Sequence, residues 1–229
     1  MTTVDLSDLK QQEAEKETTA SLVRGVMAEL AKAGYTIGGF DMYAVSNVLP
    51  GSGLSSSAAC EILLVVAGNH LFCQDELDAV TLAKIGQKAE NQYFGKPSWL
   101  MDQTASSVGD AVAIDFADPS APIVRSVAAN LEELGLALCI VDCGADHAAL
   151  TGEYASIPQE MEKVAAFFGK KVLREVQEEE VLKAMPQLRR VVGDRAVLRA
   201  LHFYADDRRA VEEADAMERR DRDAFLQLV

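Results

Sequence analysis

Leu22, Val26, Leu30 and Ala33 recur at helical spacing through TTASLVRGVMAELAKAGY, and Gly34 supplies a stop, so the first element expected is a helix. The next stretch, IGGFDMYAVSNVL, alternates Phe40, Met42, Ala44 and in part Val48 with polar neighbours, the pattern of a half-buried strand, and Pro50 ends it. From about Ser56 to Phe72 the chain is apolar nearly all round, with Ile62, Leu63, Leu64, Val65 and Val66 in succession. That predicts a helix running through the interior rather than over the surface. A second helix is expected over roughly residues 78–94. DAVAIDF and PIVRSV read as short strands, with ADPSAP as the turn cluster between them. After Glu133 the texture changes: LGLALCIVD predicts a buried strand, and almost everything beyond Thr151 predicts helix, including Val197 to Arg219. This change places a domain boundary near residue 133, dividing 1–133 from 134–229. No internal repeat or low-complexity segment interrupts the pattern.

Composition narrows the class without changing that outline. With 229 residues, 49% of them hydrophobic and 25% charged, the chain has the make-up of a packed globular protein. Its formal charge is −14, from 36 acidic against 22 basic side chains, which opposes binding to nucleic acid or to an anionic membrane. The local basic pairs are Arg189–Arg190 and Arg208–Arg209, and Asp206, Asp207, Glu212 and Glu213 largely cancel the second. The opening MTTVDLSDLKQQEAEKETT lacks the apolar core of a secretory signal, and the longest strongly apolar run, Ile62 to Gly68, is too short to span a bilayer. A cytoplasmic location is expected. Cys60, Cys73, Cys139 and Cys143 include no CxxC pair, and His70, His147 and His202 are scattered, so a zinc site is not predicted.

The candidate chemistry sits in LPGSGLSSSAACEILL, Leu49 to Leu64. A helix N-terminus leaves its first N–H groups without intrahelical partners and carries partial positive charge, so a glycine-rich approach to it suits an anion, phosphate above all. Gly51 and Gly53 allow close backbone approach, and the hydroxyls of Ser55, Ser56 and Ser57 can cap the helix, bond phosphate oxygens or reach a magnesium ion. A tight turn with a serine cap accounts for the same residues, and spacing alone leaves both readings open. Other phosphate schemes fail: there is no GxxxxGK[ST], no HRD or DFG element, and GSGLSS lacks the third glycine of the dinucleotide fingerprint.

PGSGLSSSAA resembles the second motif of the GHMP small-molecule kinases, and AENQYFGKPSWLMDQTASSVG is similar to the stretch that distinguishes galactokinases among them. DHAALTGEYASIPQEM and GDRAVLRALHFYADDRRAVEEA resemble segments that follow in the same family, so the likeness runs from about Ser21 to the last residue. It implies an α+β fold: an incomplete N-terminal α/β layer like the second domain of ribosomal protein S5 (1–133), then a largely helical part of a ferredoxin-like C-terminal domain (134–229). It also implies phosphoryl transfer from ATP to the C1 hydroxyl of galactose, with Mg²⁺. By the same carry-over, the turn Pro50, Gly51, Ser52, Gly53, Leu54, Ser55, Ser56, Ser57 and Ala58 cradles the triphosphate, and Ser56 or Ser57 offers a hydroxyl to the metal. Glu90, twelve residues before Asp102, is the carboxylate metal ligand. Asp102 binds the substrate hydroxyl as general base, and Tyr154 contacts the sugar. A carboxylate is a weak base for an alcohol, so Asp102 helps only when held within hydrogen-bond reach. His147 receives no role.

Two parts of the family pattern are not met in these residues: an N-terminal motif whose arginine supports the catalytic aspartate and whose acidic and histidine side chains bind the sugar, and a C-terminal GGGFGG-type motif. Ser98 and Trp99 also stand where the family has Cys-Gly, and Trp99 either fills the sugar space or stacks on a sugar face. The expectation is the central part of a galactokinase with little or no activity of its own. A non-catalytic nucleotide- or sugar-binding relative, or a GHMP kinase for another alcohol, are the alternatives. Uncovered sheet edge and apolar surface predict self-association.

Overall fold

The computed structural model describes residues 2–48, 53–96, 98–118, 120–127, 131–141 and 151–229. Helix α1, Thr19–Lys32, forms where the spacing predicts it and is followed by Gly34 at φ +101°. Then come α2 (Ser56–Phe72), α3 (Ala79–Lys88), a π-helical turn (Ala89–Phe94), α4 (Met101–Val108), strands β1 (Ala111–Asp115) and β2 (Ile123–Val127), α5 (Thr151–Phe167), α6 (Glu178–Val191), α7 (Asp194–Glu218) and α8 (Arg222–Leu228). The chain packs as two compact units, Met1–Val112 and Ala113–Val229. Among the described residues the one sheet is β1 beside β2, and no helix is long and apolar enough to cross a membrane.

In the first unit, Val26, Met27 and Leu30 of α1 meet Leu64 and Val65 of α2 and Leu82 and Ile85 of α3. Burying each large apolar side chain contributes about 1.5–3 kcal/mol, so the helices hold one another rather than standing on propensity. Two glycines let them approach. A Cβ on Gly25 would lie 2.9 Å from both Ala89 Cβ and Tyr93 Cγ, and one on Gly68 would lie 2.6 Å from Leu30 Cδ1. The N-terminal residues lie across this helix layer as a strap. Arg24, buried on α1, donates from Nε and Nη2 to the two carboxylate oxygens of Glu15 at 2.7 Å each, and from Nη1 to the carbonyls of Asp5 and Asp8. The hydroxyl of Tyr93 donates to Leu9 C=O at 3.1 Å and Glu17 N–H to Phe94 C=O at 3.1 Å, which ties the same strap to the π-helical turn.

In the second unit, Val164 and Ala165 of α5, Val181 and Leu188 of α6, and Val197 and Ala200 of α7 form a separate core. Helix α6 starts at a capping box between Gln177 and Glu180. The hydroxyl of Tyr204 shares its one proton between the carbonyls of Leu173 and Val176 at 3.2 and 3.0 Å, and burial pushes its phenol up to about 12. Arg195 and Arg199 both pair with Glu160, joining α7 to α5.

The structure departs from the expected pattern in three places. Residues 36–48 form no regular element, with Tyr43 and Val45 exposed and Phe40 set edge-on to Phe72 at 6.0 Å between ring centres. The described part of LGLALCIVD likewise forms no strand, and Leu138, Ile140 and Val141 are exposed. The cause is the same for both: alternation or an apolar run makes a strand only where a neighbour supplies hydrogen-bond partners, and none does so among the described residues. Helix α2 has the expected bounds but is one-sided, with Leu64 and Val65 buried and Leu63, Val66 and Leu71 exposed.

Gly25→Ala tests the first of these contacts. On an open helix the change stabilises by about 0.5–1 kcal/mol, whereas here it forces a methyl onto Ala89 and Tyr93. A loss of about 1–3 kcal/mol by urea unfolding is expected, and a stabilised variant would show that α1 and the π-helical turn are not in such contact.

Candidate active site

Of the turn residues, Pro50, Gly51 and Ser52 lie outside the described residues, as does His147. Gly53 follows at φ +75° and Leu54 is exposed. Ser55 occupies the N-cap of α2 in the left-handed region, φ 54° and ψ 44°, a placement that costs a non-glycine residue about 1–2 kcal/mol. Its side chain does not cap the helix. The hydroxyl donates instead to Asp102 Oδ2 at 2.6 Å. The first bond of the helix ladder runs from Ala59 N–H to Ser55 C=O at 3.0 Å, so the N–H groups of Ser56, Ser57 and Ala58 stand outside it at the positive end of the dipole. Asp102 is thereby held at the mouth of that turn.

Glu90 comes from the π-helical turn. Gly95, at φ +91°, returns its N–H to Glu90 C=O at 2.9 Å, the five-residue span that defines such a turn. The wider turn faces both Glu90 and Tyr93 inward, and Glu90 is 2% exposed. The loop leading to α4 is clasped to the same turn. Ser98 N–H donates to Asn91 Oδ1 at 2.6 Å, while Ser98 C=O accepts from Gln87 Nε2 at 3.1 Å and Asn91 Nδ2 at 3.3 Å. With Leu100 buried just beyond, this clasp sets where α4 begins and so where Asp102 and Gln103 stand.

Gln103 makes the central contact. Its amide nitrogen donates to Glu61 Oε2 at 3.0 Å and to Glu90 Oε2 at 3.1 Å, and all three side chains are buried. Gly86 packs beside them: a Cβ there would meet Ile62 Cδ1 tightly at 3.3 Å and come into ordinary contact with Glu61 Cβ at 3.5 Å and Gln103 Cγ at 3.7 Å. The second oxygens of Glu61 and Glu90 and the Gln103 carbonyl are buried without a hydrogen bond, and Lys96 Nζ lies 3.7 Å from Glu90 Oε1. Burial first, and the neighbouring Glu90 after it, push the Glu61 carboxyl up to about 7. A magnesium ion suits such donors, since it takes hard oxygens and needs only one or two carboxylates beside phosphate and water. Glu90 has one oxygen tied to an amide, and the other has no hydrogen bond and only the Lys96 ammonium opposite it. Among the described residues no group of three or more acidic, histidine or cysteine side chains converges.

The structure therefore joins Ser55 to Asp102, and Glu90 to the residue that follows Asp102. Tyr154 is on α5 in the second unit, where it is exposed, and Trp99 is 78% exposed on the loop before α4. Glu61, Gln103 and the Ser98–Asn91 clasp were missed by reasoning from sequence. Glu61 did carry a signal, as the single charge in the apolar run Ala58–Ala67.

The raised Glu61 carboxyl has a signed consequence for stability. The folded chain holds this proton more tightly than the unfolded one, so its stabilisation is complete below about 4.5 and is lost as pH rises through about 7. Against Glu61→Gln, which cannot ionise, the wild-type melting temperature is expected to fall progressively between pH 5 and pH 8; parallel curves would mean Glu61 titrates normally.

Residues 21–110 match the family model described as the GHMP kinases N-terminal domain. A galactokinase of Streptomyces coelicolor is 36% identical over 187 residues, covering 81% of this chain and 47% of that protein. A galactokinase of Clostridium tetani is 39% identical over 106 residues, covering 46% of this chain and 26% of that protein. The chain thus spans less than half the length of these curated relatives. The fold is like that of Lactococcus lactis galactokinase, solved in complex with galactose, at a TM-score of 0.70 and 23% identity, over 98% of this chain and 57% of that one. The chain is thus similar in sequence to galactokinases, has an α+β fold like that of a solved galactokinase, and matches the N-terminal domain of the GHMP kinases over residues 21–110.

Proposed function

We propose that the chain carries the phosphoryl-transfer core of a galactokinase-type enzyme, the type whose reaction moves the γ-phosphate of ATP to the C1 hydroxyl of galactose. The observation that carries this reading is the 2.6 Å hydrogen bond from Ser55 to Asp102, which joins the serine-led helix start to the candidate base. In this reading the turn from Pro50 to Ala58 takes the triphosphate on its amides and hydroxyls, and Ser56 and Glu90 hold Mg²⁺. The ion, when bound, offsets the negative charge of the phosphates. Asp102 binds the sugar hydroxyl and accepts its proton as that oxygen bonds to the γ-phosphorus and the bond to ADP breaks. Tyr154 contacts the sugar. The division into partial N-terminal (1–133) and C-terminal (134–229) kinase domains, self-association and a cytoplasmic location belong to the same reading.

A second reading, a relative that binds nucleotide without turning it over, is favoured by one feature. Among the described residues Asp102 has a hydroxyl partner but no ion pair with a lysine or arginine, so little positive charge supports the transferring phosphoryl group. Little or no turnover is therefore proposed for these 229 residues alone.

Incubation with Mg-ATP and galactose is expected to yield no sugar phosphate above background; steady turnover would overturn the second reading. Nucleotide binding is tested by melting. A ligand at 100 times its dissociation constant stabilises by about 2.7 kcal/mol, so millimolar Mg-ATP is expected to raise the melting temperature and Ser56→Ala to reduce the rise. No rise in either protein would remove the nucleotide site from both readings.

A further inference from the structure

Gln103 gives one amide nitrogen to two carboxylates from different elements, Glu61 on α2 and Glu90 on the π-helical turn. Such a bridge is restrictive. An amide nitrogen has two hydrogens in one plane, so satisfying both carboxylates fixes the rotation of the Gln103 side chain and with it the Oε2 of each acid. Glu90 Oε1 is then left buried with no hydrogen bond, Lys96 Nζ at 3.7 Å being beyond that reach. That oxygen, at 2% side-chain exposure, has the Lys96 ammonium as an ion-pair partner but no hydrogen bond, so its lone pairs remain open to a cation. Asp102 precedes Gln103 on α4, and neighbouring helical residues point about 100° apart, as 3.6 residues per turn require. One of the two reaches Ser55 and the other reaches the buried acids.

We infer that Gln103 is a positioning residue for the divalent cation, its amide holding Glu90 so that Oε1 is kept for the metal, with Glu61 as the counter-anchor that stops the amide from following Glu90. This rests on the reading of Glu90 as a metal ligand. Partners of this kind around metal sites change metal affinity by about 10–100-fold when removed. The Gln103 bridge acts through Glu90 and leaves the nucleotide's own contacts with the turn untouched.

The test is Mn²⁺ affinity of the full chain saturated with ATP, read from the paramagnetic resonance of free Mn²⁺, beside ATP affinity in EDTA. Gln103→Met keeps the volume and removes the donors. It is expected to weaken Mn²⁺ binding about 10-fold or more while ATP affinity in EDTA stays as in wild type, and Glu90→Gln is expected to weaken Mn²⁺ at least as much. Weakening by Glu90→Gln with no change in Gln103→Met overturns this inference alone, as does an equal loss of Mn²⁺ and metal-free ATP binding in Gln103→Met, the result of a packing role. Unchanged Mn²⁺ affinity in Glu90→Gln, or no Mn²⁺ binding by wild type, overturns the metal-ligand reading and this inference with it. If Gln103→Met does not fold, the wild-type side-chain amide protons of Gln103 decide by NMR: they shift when Mg²⁺ is added to the ATP-bound chain, and fixed resonances overturn the inference.

Discussion

One side-chain amide carrying two buried carboxylates is the interaction on which the arrangement of the first unit turns. Glu61 and Glu90 come from different elements, and without a donor between them their charges repel across a medium that screens poorly. The amide of Gln103 answers both. A single buried acid in an apolar helix is otherwise a defect. Here it is an anchor that locates α4.

From that anchor the other contacts follow. The Ser98–Asn91 clasp sets the start of α4 from one side and Gln103 sets its rotation from the other, so Asp102 reaches Ser55. The π-helical turn that supplies Glu90 is braced behind by the N-terminal strap through Tyr93 and Phe94, and the strap is held by the buried Arg24. Apolar burial supplies most of the stability, but it does not choose among rotations of a helix. Directional hydrogen bonds do, and Gln103 supplies two of them here.

Ser55 shows the other side of the same economy. It occupies a left-handed backbone position that glycine takes without strain, and it gives up the capping bond that serine usually makes there. What it makes instead is the hydrogen bond to Asp102. Strain held at one residue and a polar contact made forty-seven positions away are the mark of a site whose geometry outweighs local preference.

The sequence alone determined α1, the bounds of α2, the β1–β2 pair and the helical second half, because helical periodicity, glycine stops and turn clusters are local properties of the chain. It also marked Ser55 to Ser57, Glu90 and Asp102 as chemistry, through their likeness to a family pattern. Tertiary structure decided the rest. Residues 36–48 and the described part of LGLALCIVD have strand patterns but no ladder, since a strand needs a neighbour that no local pattern can guarantee. The pairing of Gln103 with Glu61 and Glu90 spans separations of forty-two and thirteen residues. Which buried polar groups meet depends on how helices dock, so those partners become visible only when the chain is folded.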